Sequence, residues 1–435
     1  MQSVHFEYTG RVAMGKESIR FIHAGDFHLE RPMQDLIDLP EHLKQVLVDA
    51  PWKAAEAIFE TAIIENVDFV LLAGDLLNPV SCGAAGPAFL LEQFEQLQQR
   101  NIQVYWAGGQ VDDPDRWPEA VALPSNVHLF SKRQLEPVVY RRNGFALATI
   151  LGRSNDGRES IRAAEFQLEA DDTYVIALAH GVADRDSLLS QRIDYWALGG
   201  NHQRQTLHGE APHMRICGTS QGRSFSEDGT HGYWTVEVDG NHDAQITAQD
   251  ADVFRYVTQT LDTEDLALGR DVRQLMTKRI SRLQSENGTR HLIVNWRIEM
   301  DLENASQVGP AALEEILSWL RREYGHGSCS VWSTDIEVLS PKAFPKKWQE
   351  EETILGDFLR TCSDSRKNLG KNVNLKTLVE CETPGNPAWQ SLLVNEDTNA
   401  VTGMLDRATL LGVDLLRGHK IDLLASTRKF GGTKA

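Results

Sequence analysis

Phe21–Pro32 reads FIHAGDFHLERP, and Val67–Pro79 reads VDFVLLAGDLLNP. Each is a short apolar run stopped by Gly-Asp. Apolar runs of four to eight residues bounded by turn residues fit strands buried on both faces. Strands are predicted at Ser18–Ala24 and Val67–Ala73, and a third at Ile102–Ala107, before a glycine-rich turn. Between them, Pro51–Asn66 sets Trp52, Ala55, Ile58, Phe59 and Ala62 on one helical face, and Gly86–Arg100 has a second helical pattern. This β-α-β-α-β rhythm predicts an α/β fold: a largely parallel sheet covered by helices on both faces. Further strands are expected at Ala146–Leu151, Tyr174–Ala179, Tyr195–Leu198 and Gly232–Val238.

The carboxyl ends of strands are where open α/β sheets build their sites, and four such ends here carry acid or imidazole. After the first strand, Gly25-Asp26-Phe27-His28 can aim a carboxylate and an imidazole at one point. That pair suits manganese, iron or zinc. Gly74-Asp75 ends the second strand, and its two carboxylate oxygens can bridge two ions. His180-Gly181 closes Tyr174–Ala179, and His202 follows Tyr195–Leu198 in the stretch DYWALGGNH. Taken singly, each has a plainer reading. A strand-end Asp is commonly a helix cap, and a single His, such as His23 inside the first strand, is commonly a satisfied structural residue. The ordered set of D-x-H, G-D, H-G and a late G-x-x-H raises the odds of a metal centre.

That set resembles the calcineurin-like metallophosphoesterases. The wording of FIHAGDFHLERP, VDFVLLAGDLLNP, VYWAGG, DYWALGGNHQRQ and CGTSQGRSF is similar to the SbcD-like DNA repair exonucleases, the branch typified by YhaO proteins. The resemblance covers Ser18 to Val238 well and the tail only loosely. It implies a phosphoesterase sandwich of central β-sheets flanked by helices, a small α+β cap and a mostly helical C-terminal region. It also implies phosphodiester hydrolysis by metal-bound hydroxide. One ion would be held by Asp26, His28 and His202, with Asp75 bridging to a second ion. The second would use His180, the asparagine of a G-N-H-D motif and the first histidine of a G-H-x-H motif. Manganese is the expected metal, with iron or zinc as alternatives, as one or two ions.

Two positions depart from that pattern. Where G-N-H-D is expected the chain reads Gly109-Gln110-Val111-Asp112, so Gln110 is a weak ligand candidate and Val111 replaces the proton-donating histidine. Where G-H-x-H is expected it reads Gly199-Gly200-Asn201-His202, so Gly200 offers no side chain. Losing one transition-state donor costs about 10²- to 10³-fold in rate, and a lost ligand adds to that. Asn201, His208, Asp112 or Asp113 are the candidate substitutes. A literal Gly240-Asn241-His242-Asp243 follows the last predicted strand, out of order with the other motifs, and reads as a hairpin turn.

The rest of the chain bounds these readings. Its 435 residues suggest two domains, with three possible. The divisions read as an extension over 1–17, a phosphoesterase domain over 18–245, an α+β cap over 246–341 and a helical region over 342–435. In the last two, strands are expected at Arg290–Leu302 and Ser328–Leu339, a helix at Ala311–Arg322, and a linker at Pro341–Pro345. A net charge of −18 argues against binding DNA by bulk electrostatics. Five scattered cysteines without CxxC spacing fit a reducing cytoplasm. No signal peptide or membrane span is read. The partners implied by resemblance are DNA, a coiled-coil ATPase subunit of the SbcC/YhaN kind, and a second copy in a homodimer. Two readings stay open beside an exonuclease-like enzyme of reduced activity. One is a pseudo-nuclease that binds DNA ends as a scaffold, in which reinstating histidine at 111 and 200 would raise activity. The other is a small-molecule phosphoesterase on the same fold.

Overall fold

The computed structural model describes residues 17–35, 38–168, 172–261, 272–299, 310–339 and 346–367, together with 405, 408, 409, 412, 413, 415 and 416. Strands β1 (Ile19–Ala24), β2 (Phe69–Leu72), β3 (Gln103–Trp106) and β4 (Val127–Leu129) run parallel. Strand β11 (Gly232–Val238) lies antiparallel to β1, and β12 (Ala244–Asp250) antiparallel to β11. The sheet order is β12-β11-β1-β2-β3-β4. A second six-stranded sheet holds β5 (Glu136–Arg142), β6 (Phe145–Gly152), β7 (Tyr174–His180), β8 (Tyr195–Gly199), β9 (Gln205–His208) and β10 (His213–Ile216). Its order is β5-β6-β7-β8-β10-β9, parallel in the centre and antiparallel at both ends.

The single sheet implied by the strand–helix rhythm is therefore two mixed sheets, as the sandwich resemblance requires. Residues alternate faces along a strand, and both faces here are covered. Phe21, Phe69, Leu71 and Tyr105 of the first sheet meet Ile150, Tyr174, Ile176 and Tyr195 of the second in one core. On the outer face of the first sheet, Ile22, Val70, Leu72 and Trp106 pack with Ile58 and Phe59 of helix α1 (Glu41–Ile64) and Phe94 of helix α2 (Ala85–Gln99). Among the described residues, the outer face of the second sheet is covered over Trp196, Leu198 and Met214 by the short helix α3 (Arg185–Leu189), a 3-10 turn at Ala163–Glu165 and loops. Long helices thus cover one sheet rather than both faces of one.

Helix α1 starts ten residues before the expected Pro51 and carries that proline inside it. Proline removes one backbone donor and normally ends a helix. Here Leu43, Leu47 and Ala50 continue the apolar face and pack with Phe254, Tyr256, Ile293 and Trp332, so tertiary burial overrides the break. The Gly240–Asp243 string is the β11–β12 turn, with Val238 opposite Ala244. Asp239 Oδ1 accepts from the backbone N–H of Asn241 at 2.7 Å and of Asp243 at 3.0 Å.

Further on, β13 (Phe254–Leu261), β14 (His291–Glu299) and β15 (Val331–Leu339) form a sheet in that order, with helices at Val272–Asn287 and Pro310–Tyr324. Two more helices cover Lys346–Glu350 and Ile354–Lys367. The expected linker at 341–345 and the chain ends lie outside the described residues. The chain divides into two compact units, Met1–Thr258 with Arg282–Asn295 and Tyr324–Thr334, and Gln259–Ser281 with Trp296–Glu323 and Asp335–Ala435. Among the described residues, no helix is long and apolar enough to cross a membrane.

Candidate metal centre

The loops after β1 and β2 run side by side. Asp26 N donates to Gly74 O at 2.8 Å, His28 N to Asp75 O at 2.9 Å and Leu29 N to Leu76 O at 3.1 Å. This stitching turns the chain sharply. Asp26, His28 and Asp75 all have positive φ, 50°, 44° and 52°. Non-glycine residues seldom adopt that region, and each such residue stores about 1–3 kcal/mol. Gly74 and Gly109 permit the close approach, since a Cβ on Gly109 would sit 2.3 Å from Asp75 Oδ1. The second sheet contributes from the ends of β7 and β8, where Gly181 N donates to Gly199 O at 3.1 Å.

These strand ends bring five predicted residues together. Ligand atoms of Asp26, His28 and His202 all lie within 4.8 Å of one another, as do those of Asp26, Asp75 and His180. Asp26 is common to both triads. Asp75 Oδ2 stands 3.6 Å from His28 Nε2 and 3.5 Å from His180 Nε2, so one carboxylate oxygen faces both imidazoles. His28 Nε2 and His202 Nε2 are 3.2 Å apart. All but His202 are buried.

Hydrogen bonds hold the far side of two of the three rings, while His28 Nδ1 faces Glu30 Oε1 at 3.8 Å. His180 Nδ1 donates to Ala73 O at 2.8 Å, and His202 Nδ1 donates to Glu227 Oε1 at 2.5 Å. In the neutral form of these two rings, the inner Nε2 is left with its lone pair. These lone pairs point at one another's ligands and at two carboxylates, an arrangement that repels itself unless a cation or protons lie between. The donor set of carboxylate oxygens and neutral imidazoles fits manganese, iron or zinc.

The titration tendencies of the cluster differ from group to group. Burial pushes the Asp26 carboxyl up to about 6, against the pull of His180 and the Gly200 N–H. Burial also lowers His28. His180 is raised: burial acts to lower it, but the Asp26 and Asp75 charges win. Glu227 is drawn down to about 2; burial alone would raise it, and the bond to His202 and the Arg223 charge overcome that.

The other candidates fall outside the cluster. Gln110 is exposed. Val111 gives only its backbone N–H, which donates to Asp75 Oδ1 at 2.9 Å. Gly200 has φ +98° and donates its N–H to Asp26 Oδ2 at 3.0 Å. Each of the four proposed substitutes has a hydrogen-bond or ion-pair partner of its own. Asp112 accepts from the N–H groups of Asp75, Leu76 and Gly109 and from the Trp106 indole. Asp113 pairs with Lys132, Asn201 accepts from Gln203 N, and His208 binds the carbonyls of Glu210 and Pro212. His23 is the satisfied structural residue expected, bonded to Tyr195 Oη and Leu198 O, with burial holding it down to about 3.

Sequence reasoning missed the supporting shell. Glu227 sits on a short 3-10 turn, Phe225–Glu227, and Arg223 is buried beside it, donating to Phe27 O between the two ligands of the first loop. Arg223 lay within the quoted CGTSQGRSF, but no periodicity flagged it. Glu227 lay just beyond.

The class this fold and site define is an α/β sandwich with a candidate metal centre at its strand ends. Residues 19–204 match the family described as calcineurin-like phosphoesterase, and this part of the chain is similar to that family. More particularly, the chain is a distant homologue of the uncharacterized metallophosphoesterase YhaO of Bacillus subtilis (strain 168). The two are 32% identical over 240 residues, which cover 51% of this chain and 57% of the relative. The match therefore spans little more than half the relative's length. The solved Vps29 of Entamoeba histolytica, complexed with zinc, covers 54% of this chain and 100% of its own at 13% identity. Its TM-score of 0.24 is too low to support any further reading.

Proposed function

We propose that the Asp26–Asp75 centre hydrolyses phosphodiesters, with DNA ends or flaps as substrate, at a rate reduced by the changes at 111 and 200. The observation that carries this reading is the convergence of Asp26, His28, Asp75, His180 and His202 at the ends of strands from two sheets. A divalent cation held there supplies Lewis-acid activation of water and of the phosphoryl group. The chain's own contribution is to fix the donors. Ala73 O and Glu227 orient two rings, Gly200 N–H steadies Asp26, and Val111 N–H steadies Asp75. No side chain at 111 delivers a proton to the leaving oxygen. A coiled-coil ATPase partner, a homodimer and manganese as the metal belong to the same proposal.

The test is manganese-dependent cleavage of single-stranded DNA and of an aryl phosphodiester by the purified chain. Asp75→Asn removes half the charge facing two imidazoles and is expected to lower the rate at least ~10²-fold. An unchanged rate would place the activity elsewhere.

Val111 and Gly200 favour a second reading, in which the fold serves as a DNA-end-binding scaffold. That reading expects no turnover with any metal, while end binding persists in Asp75→Asn.

A further inference from the structure

We propose that Glu227 is a positioning residue for His202 and makes the Asp26/His28/His202 triad the tighter of the two cation sites. The proposal rests on the metal-centre reading above. His202 is the ring in most need of support. Its side chain is 31% exposed, against 0% for His28 and 1% for His180. It follows Gly200 on a loop, and its ring meets that of His28 edge-on with centroids 5.0 Å apart.

Glu227 is itself clamped. Oε1 lies 2.5 Å from His202 Nδ1 and Oε2 accepts from Arg223 N at 2.9 Å. Arg223 Nη1 stands 3.8 Å from Oε2. The Glu227 carbonyl accepts from His231 Nε2 at 2.8 Å. An ionised carboxylate only accepts hydrogen bonds, so Nδ1 carries the proton facing Glu227, and in the neutral ring Nε2 presents its lone pair towards Asp26 and His28. A carboxylate behind a ligating imidazole also raises its strength as a donor. On the other triad, His180 Nδ1 meets the neutral carbonyl of Ala73. The two halves therefore differ in the charge behind the ring. Glu227 lies in neither triad and is assigned no contact with the ion.

The experiment uses the full chain, stripped of metal, titrated with Mn2+ by calorimetry and with Co2+ by visible absorption. Glu227→Gln keeps an oxygen acceptor and removes the charge. The tighter Mn2+ site is expected to weaken about 10- to 100-fold, with the weaker site unchanged and the Co2+ ligand-field bands shifted. Glu227→Asp keeps the charge on a shorter arm and is expected to fall between, which gives a second reading if the Gln variant fails to fold. Unchanged Mn2+ affinity and Co2+ spectrum in both variants overturn the role of Glu227 alone. A parent chain that binds neither ion overturns the metal centre itself, and this proposal with it.

Discussion

The His28/His202 side of the centre and the His180/Gly200 side are built alike, from strand ends and left-handed loops, yet they carry different donor sets. The first has two imidazoles, the Asp26 carboxylate and a charged brace in Glu227. The second has one imidazole, Asp26 again and Asp75, with glycine and valine where the resembling family supplies histidines. What distinguishes them is backbone as much as side chain. At Gly200, φ is +98° and a Cβ would lie 2.9 Å from Gly181 N. The loop has settled into a shape only glycine fits, so the loss on that side is built into the main chain. Val111 differs: its backbone still serves Asp75, and only the side chain has changed.

Removing the residue common to both sides should have the largest effect. Asp26→Ala takes a ligand from each triad and is expected to abolish tight Mn2+ binding and cut any hydrolysis by ~10³-fold or more. Elemental analysis and rate measurement together check it; a variant retaining its ion would break the comparison.

Adding a histidine at the glycine should sharpen it. Gly200→His is expected to cost about 1–3 kcal/mol of stability through the positive φ and the contact with Gly181, without gaining an ion. The scaffold reading from sequence expects a gain from histidine at 111 and 200 together, and the backbone at 200 argues against the second half of that change. Thermal unfolding and metal content decide, and a stable variant with a second tight ion would contradict the backbone account.

The smallest effect is a pH dependence. With Asp26 raised to about 6, the metal-free carboxyl is protonated below that pH and a cation must displace the proton. Mn2+ affinity should fall by about tenfold per pH unit below 6 through this carboxyl, and His180, raised from its ordinary value, extends the fall to higher pH. In the metal-free protein the sign is opposite. A raised carboxyl favours the folded state at low pH, so its contribution to stability declines as pH rises from 3.8 through about 6. Calorimetric titration and melting curves across that window check both.

The strand ends were legible because burial on both faces leaves long apolar runs, and the Gly-Asp that stops each run is also the chemistry. Asp26, His28, Asp75, His180 and His202 could be placed on that ground. The edge strands β4, β5, β9 and β12 were not legible: they are short or half-exposed, as in Glu136–Arg142, whose polar residues hide the pattern. The first turns of α1 were hidden by Pro51, since long-range burial of Leu43 and Leu47 leaves no local signal. Glu227 was hidden for the same kind of reason: its partner is 25 residues away.

The asymmetry of the two sides is tested most directly by titrating the metal-stripped chain with Mn2+ and counting ions per chain. One tightly held ion is expected, with a second at least ~100-fold weaker. Two ions of equal affinity, or none, would contradict the account.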